Sequence, residues 1–113
     1  MRILVVDDDR DVGEALLALF ALAGHLPRWA ADAPTALALA TEEPPDVAVL
    51  DLCLGDDTCL PLLGRLGAAR TFVITASLPG PEVRREAERR GAVALLPKSI
   101  EPDELLRRVA RDV

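Results

Sequence analysis

The stretch Ile3-Leu4-Val5-Val6-Asp7-Asp8-Asp9 runs four apolar residues straight into three acids. An uninterrupted apolar run of this length, rich in β-branched residues, suits a strand buried on both faces. Three more runs have the same character: Val47-Ala48-Val49-Leu50, Thr71-Phe72-Val73-Ile74 and Val93-Ala94-Leu95-Leu96. A weaker one lies near Pro27-Arg28-Trp29-Ala30. Between them the apolar period changes to that of a helix. Val12, Leu16, Leu19, Phe20 and Ala23 form a stripe at three- and four-residue spacing, with Gly24 as a fitting stop.

A second helix is expected over Ala33–Thr41, ending before Pro44 and Pro45. A third is expected from about Thr58, an N-cap residue, with Pro61 still in the first turn. The fourth spans Pro81 to Arg90 and stops at Gly91; its few apolar residues, Val83 and Ala87, imply thin anchoring. The last begins at Pro102 and carries Leu105, Leu106 and Val109. Five strands alternating with five helices predict a doubly wound α/β fold with a parallel sheet and helices on both faces. No linker or repeat interrupts the pattern, so residues 1–113 are expected to form one domain.

Composition narrows the functions. The only aromatics are Phe20, Trp29 and Phe72, too few for a base- or sugar-stacking surface. A net charge of −6 argues against nonspecific binding to nucleic acid or an anionic membrane. Cys53 and Cys59 with the single His25 make no zinc pattern. Acids arrive too early for a leader segment, and no stretch is long enough to span a bilayer. A soluble, cytoplasmic protein with reduced thiols is expected.

The chemistry sits where the strands end. In an open parallel sheet, ligands bind beyond the carboxyl ends of the strands. Asp7 and Asp8 follow the first run, Asp51 the third, Thr75 the fourth, and Lys98 comes just after the fifth. Acids after a strand often cap helices, and Asp9 or Asp11 is expected to do so here. Three carboxylates brought together repel one another unless a hard cation joins them. Asp51 is then the candidate nucleophile toward phosphorus, Lys98 a point charge on a phosphoryl oxygen, and Thr75 a hydrogen-bond donor to another.

With these segments in this order, the sequence resembles a response-regulator receiver domain, CheY-like, of two-component signalling. The carriers are Ile3 to Asp9, Val49-Leu50-Asp51-Leu52, Ile74-Thr75-Ala76, Gly91-Ala92 and Leu96-Pro97-Lys98, and the resemblance covers essentially the whole chain. It implies a flavodoxin-like (βα)5 fold with strand order 2-1-3-4-5. It makes Asp51 the phosphoacceptor. It also implies an Mg²⁺ or Mn²⁺ site built from Asp7, Asp8, Asp51 and the backbone carbonyl of Cys53. Thr75 becomes the switch hydroxyl, Ala76 the small residue that leaves it room, and Leu95 the position usually held by a switch aromatic.

The implied donor is a phosphohistidine on a sensor histidine kinase or phosphotransfer protein. Output would travel through the fourth helix, fifth strand and fifth helix to a downstream protein or effector domain, with room for a phosphorylation-dependent dimer. Such a protein is a switch that catalyses only its own phosphorylation and dephosphorylation. The sequence departs from the pattern in three places. Ser99 follows Lys98 where a proline is usual, Leu95 replaces the aromatic, and Gly55, Thr58 and Cys59 replace proline and Asp-Gly elements after Asp51. These departures leave open a degenerate receiver that binds partners without phosphorylation. A haloacid-dehalogenase-type phosphatase fits less well, because Asp11 stands where that motif wants Thr or Val.

Overall fold

The computed structural model describes residues 1–111; Asp112 and Val113, the end of the expected single domain 1–113, lie outside the described residues. Five parallel strands, β1 (Arg2–Val6), β2 (Leu26–Ala30), β3 (Val47–Asp51), β6 (Arg70–Thr75) and β7 (Ala92–Pro97), form one sheet in the order β2-β1-β3-β6-β7. This is the expected 2-1-3-4-5 order, with β6 and β7 as the fourth and fifth strands. Four α-helices cover it: α1 (Arg10–Leu22), α2 (Ala33–Glu42), α3 (Pro81–Arg89) and α4 (Pro102–Ala110).

The continuous apolar runs are explained by burial on both sides of the sheet. Successive strand residues point to opposite faces. Ile3, Val5, Val47, Val49, Phe72, Ile74 and Leu96 pack with Phe20, Leu105 and Val109 under α1 and α4. Leu4, Val6, Ala48, Leu50, Val73 and Leu95 pack with Ala36, Ala40 and Ala87 on the other face. A residue polar at either set of positions would lose its hydration with nothing to replace it.

Helix ends are satisfied by local sequence. Asp9 caps α1, its Oδ1 accepting from the Asp11 and Val12 amides at 3.0 and 3.4 Å. Asp32 caps α2 through the Thr35 amide at 2.8 Å. At the other end of α2, the Arg28 guanidinium reaches from β2 to donate to the Leu39 and Glu43 carbonyls at 2.8 and 2.5 Å. Helix α3 has no side-chain N-cap, and Ala87 is its one buried residue.

The third expected helix does not form. In its place come a two-stranded antiparallel hairpin, β4 (Cys53–Leu54) with β5 (Asp57–Thr58), and one 3₁₀ turn at Leu60–Leu62. Thr58 belongs to the hairpin, and its hydroxyl accepts from the Leu60 amide at 3.4 Å instead of capping an α-helix. Gly64 and Gly67 then take φ of +81° and +71°, a region that a right-handed helix excludes. Leu62, Leu63 and Leu66 from this loop still bury their side chains on the sheet, with Cys59 beside them. The third crossover thus supplies a helix's apolar cover without a helix's backbone.

Candidate functional site

At the carboxyl edge of the sheet, β1, β3 and β6 end around a cleft of about 570 Å³, and the residue following β7 reaches into it. Asp8, Asp9, Asp51, Cys53, Gly55, Thr75, Ala76, Ser77 and Lys98 line it. Parallel pairing aligns the ends: Val6 lies opposite Leu50, Asp51 opposite Ile74, and Thr75 opposite Pro97. Four chain segments far apart in sequence therefore deliver Asp7, Asp51, Thr75 and Lys98 to one place.

Each side chain has a defined partner. The Lys98 ammonium lies 3.0 Å from Asp51 Oδ2 and 3.3 Å from Asp7 Oδ2. Asp7 Oδ1 accepts from the Asp9 amide at 2.9 Å, and Asp51 Oδ1 from the Cys53 amide at 3.2 Å. The exposed Asp8 turns Oδ2 to the Gly55 amide, 2.9 Å away. Thr75 donates its hydroxyl to the Ser77 carbonyl at 2.8 Å and accepts from the Ser77 amide at 3.3 Å. Behind the acids, the Trp29 indole donates to the Asp7 carbonyl at 2.8 Å.

Burial and charge act unequally on these groups. Asp7 is fully buried, and burial pushes its carboxyl above the usual carboxylate range, with the neighbouring Asp51 adding to the rise. Burial also works against the Lys98 ammonium, but the hydrogen bond to Asp51 and the charges of Asp7 and Asp51 more than offset it, so its pKa is raised. One oxygen each from Asp7, Asp8 and Asp51 lies within 4.8 Å of the others. Asp7 Oδ2 is sequestered from water with no directed hydrogen bond. Three carboxylates face one ammonium, and oxygen donors of this kind are those a hard divalent cation takes. The residues fit such an ion.

The sequence-expected residues are therefore brought together: Asp7, Asp8, Asp51, Thr75, Ala76, Lys98 and the backbone at Cys53 all border or line the cleft. Leu95 is not part of it. It is buried in the core under the sheet, 7% exposed. The peptide bonds are trans among the described residues, that between Lys98 and Ser99 included. Sequence reasoning missed the Gly55 amide and the Trp29 indole. The first had a signal in Leu54-Gly55-Asp56-Asp57, a two-residue turn with glycine first. The second had none, since nothing local announces that an indole will reach a carbonyl on the neighbouring strand's end.

The family described as the response regulator receiver domain matches residues 3–110. Response regulator MprA of Mycobacterium tuberculosis is 35% identical over 113 residues, covering 96% of this chain and 49% of that protein. The chain spans about half the length of the curated relatives it matches. Among solved structures, a response regulator protein from Burkholderia pseudomallei is 27% identical with a TM-score of 0.86, covering 96% of this chain and 65% of that one. It was crystallised with a phosphorylated aspartic acid, a calcium ion and citrate. A CheY-like receiver domain protein from Methanospirillum hungatei is 26% identical with a TM-score of 0.87, covering 96% and 89%. Among the described residues, no helix is long and apolar enough to cross a membrane.

Proposed function

The chain belongs to the response regulator receiver domain family, signalling switches of two-component systems, and from that premise we propose that Asp51 is its phosphoacceptor. The observation that carries this is the Lys98 ammonium bridging Asp51 and Asp7 at the meeting of β1, β3 and β7. A structural ion pair needs one carboxylate; here a single cation serves two, with a third close by and a cleft open in front.

Asp7, Asp8 and Asp51, with the Cys53 backbone carbonyl, would hold Mg²⁺ or Mn²⁺, which when bound neutralises charge on an incoming phosphoryl group. Asp51 supplies the nucleophilic oxygen. An O–P bond forms as the P–N bond to the donor's phosphohistidine breaks, leaving an acyl phosphate and a neutral imidazole. Lys98 then exchanges a carboxylate partner for a phosphoryl oxygen, needing little displacement because it already stands 3.0 Å from Asp51. Thr75 breaks its bond to the Ser77 carbonyl and donates to another phosphoryl oxygen, with Ala76 leaving the space.

Output follows the face of α3, β7 and α4 toward a downstream protein or effector domain. The buried Leu95 supports transmission through packing, because no aromatic stands there to swing. The reading carries a cytoplasmic setting, a sensor kinase or phosphotransfer protein as donor, and residues 1–113 acting as one receiver unit. Intact-mass spectrometry after incubation with acetyl phosphate, with and without Mg²⁺, tests it. One Mg²⁺-dependent phosphoryl adduct is expected on the parent and none on Asp51→Asn; an adduct retained by that variant sinks the assignment.

A further inference from the structure

Asp8 differs from the other two acids of the cleft. Asp7 is buried and held by the Asp9 amide with Lys98 beside it; Asp51 is held by the Cys53 amide and Lys98. Asp8 is exposed, and the contact found for its carboxylate among the described residues is the Gly55 amide at 2.9 Å, 47 positions away in the chain. An exposed carboxylate with one partner keeps several rotamers unless that partner is itself fixed.

Gly55 is fixed. Leu54 pairs with Asp57, so Gly55 and Asp56 form a two-residue turn, with φ of +64° at Gly55 and no positive φ at Asp56. A two-residue hairpin turn with glycine at its first central position is the type II′ pattern, whose twist matches that of the strands it joins. The hairpin is anchored below by the Cys59 amide donating to the Leu52 carbonyl at 2.8 Å, by the buried Cys59 side chain, and by Leu54 against the core. A Cβ at Gly55 would meet no atom within 4 Å, so glycine is needed there for its backbone, not for space.

We infer that Gly55 is a positioning residue for cation binding: its N–H, carried by the β4–β5 hairpin, orients the Asp8 carboxylate toward the oxygens of Asp7 and Asp51. This rests on the reading of Asp8 as a cation ligand. Hydrogen-bonded partners behind a ligand typically carry a tenfold to hundredfold effect on metal affinity when lost. By linkage, whatever the hairpin contributes to the ion, the ion returns to the hairpin.

The test is a full-length chain with an ester in place of the Leu54–Gly55 amide, assembled by ligation at Cys53, which deletes that one N–H. Its control is Gly55→Ala built with D-alanine, which keeps the N–H and accepts positive φ. Mg²⁺ affinity is measured by calorimetric titration, and hydrogen exchange over residues 53–59 is followed with and without Mg²⁺. The ester is expected to bind Mg²⁺ ~10–100-fold more weakly, the D-alanine chain like the parent, and the parent's hairpin to exchange more slowly once Mg²⁺ is added. Equal or tighter binding by the ester overturns the inference, as does a D-alanine chain as weak as the ester. If the ester chain does not fold, parent hairpin exchange indifferent to Mg²⁺ overturns it. A parent that binds no Mg²⁺ overturns the cation reading itself, a result distinct from these.

Discussion

Gly13→Ala in α1 should destabilise the protein, although alanine is the better helix former. A Cβ at Gly13 would lie 2.5 Å from Trp29 Nε1, 2.7 Å from Cε2 and 2.9 Å from Cδ1. These distances are below any real carbon contact, so the indole must move. It is not free to do so without loss, because Nε1 donates to the Asp7 carbonyl at 2.8 Å. Replacing an interior glycine gains about 1 kcal/mol of helix propensity. Overpacking costs roughly 1–3 kcal/mol, and the indole hydrogen bond about 0.5–1.5 kcal/mol more. The net loss is therefore ~0.5–3.5 kcal/mol, and at about 4 °C per kcal/mol for a domain of this size the melting temperature falls by ~2–14 °C. Thermal unfolding followed by circular dichroism measures it. Trp29 is the chain's one tryptophan, so its emission should shift to the red in the folded variant. In a Trp29→Ala background the same substitution should change sign and stabilise by about 1 kcal/mol, since only propensity remains. A Gly13→Ala protein that melts at or above the parent with an unchanged Trp29 spectrum refutes the packing argument.

The two thiols should differ sharply in reactivity. Cys53 is exposed beside the cleft, while burial pushes the Cys59 thiol up to about 12; a disulfide reagent near pH 8 should titrate one thiol quickly in the folded protein, mapped to Cys53, and the second only on unfolding. Two thiols reacting at similar rates would contradict the burial of Cys59. On the surface of α4, hydrogen bonds from Arg107 and Arg108 hold the Glu104 carboxyl below its ordinary 4.5. A depressed folded-state pKa gives stability that is present above 4.5 and lost as the pH falls through the folded value. Glu104→Gln should therefore melt below the parent above pH 4.5 and converge with it in acid, and the gap should shrink in 1 M salt. Melting curves that stay parallel from neutral to acid pH would show that the pairs contribute nothing to stability.

The main sheet was legible because burial on both faces leaves a signature in consecutive residues. Ile3 to Val6, Val47 to Leu50 and Thr71 to Ile74 need no knowledge of their partners to be read as interior strands. The acids were legible for a related reason: a strand end is a fixed address, and Asp7, Asp51, Thr75 and Lys98 occupy four of them. The third crossover was not. Thr58 and Pro61 carry a helix-start signal, but Gly64 and Gly67 follow too soon for a helix to gain the hydrogen bonds that offset its nucleation. The hairpin that forms instead has strands of two residues, too short to show alternation. Arg28 was equally silent. Its role as a cap on α2 depends on where Leu39 and Glu43 end up in space, which local patterning does not encode.

The same contrast sorts the walls of the cleft by how readily they yield. The ends of β1, β3 and β6 and the start of the loop after β7 are locked in the parallel ladder, with the Lys98 amide itself donating to the Thr75 carbonyl at 2.8 Å. The other walls are the Gly55 hairpin and Ala76-Ser77, the start of a segment that leads into α3, a helix with one buried residue and no side-chain cap. A new charge on Asp51 would therefore do its work on those two segments. The Thr75 hydroxyl now bonds a neutral carbonyl, an interaction with a net worth of about 0.5–1.5 kcal/mol, whereas a bond to a charged phosphoryl oxygen contributes about 1.5–3 kcal/mol. On the proposed reading the exchange would favour the phosphoryl group by roughly 1–1.5 kcal/mol, about a five- to thirteenfold shift in population. That is too little to invert a stable equilibrium but enough to bias one already close to balance. Helix α3, with one buried residue and no side-chain cap, is the lightly anchored element on which such a bias would act. On the proposed reading, adding a side-chain cap at Gly80 or apolar cover at Val83 should weaken the response to phosphorylation by strengthening α3.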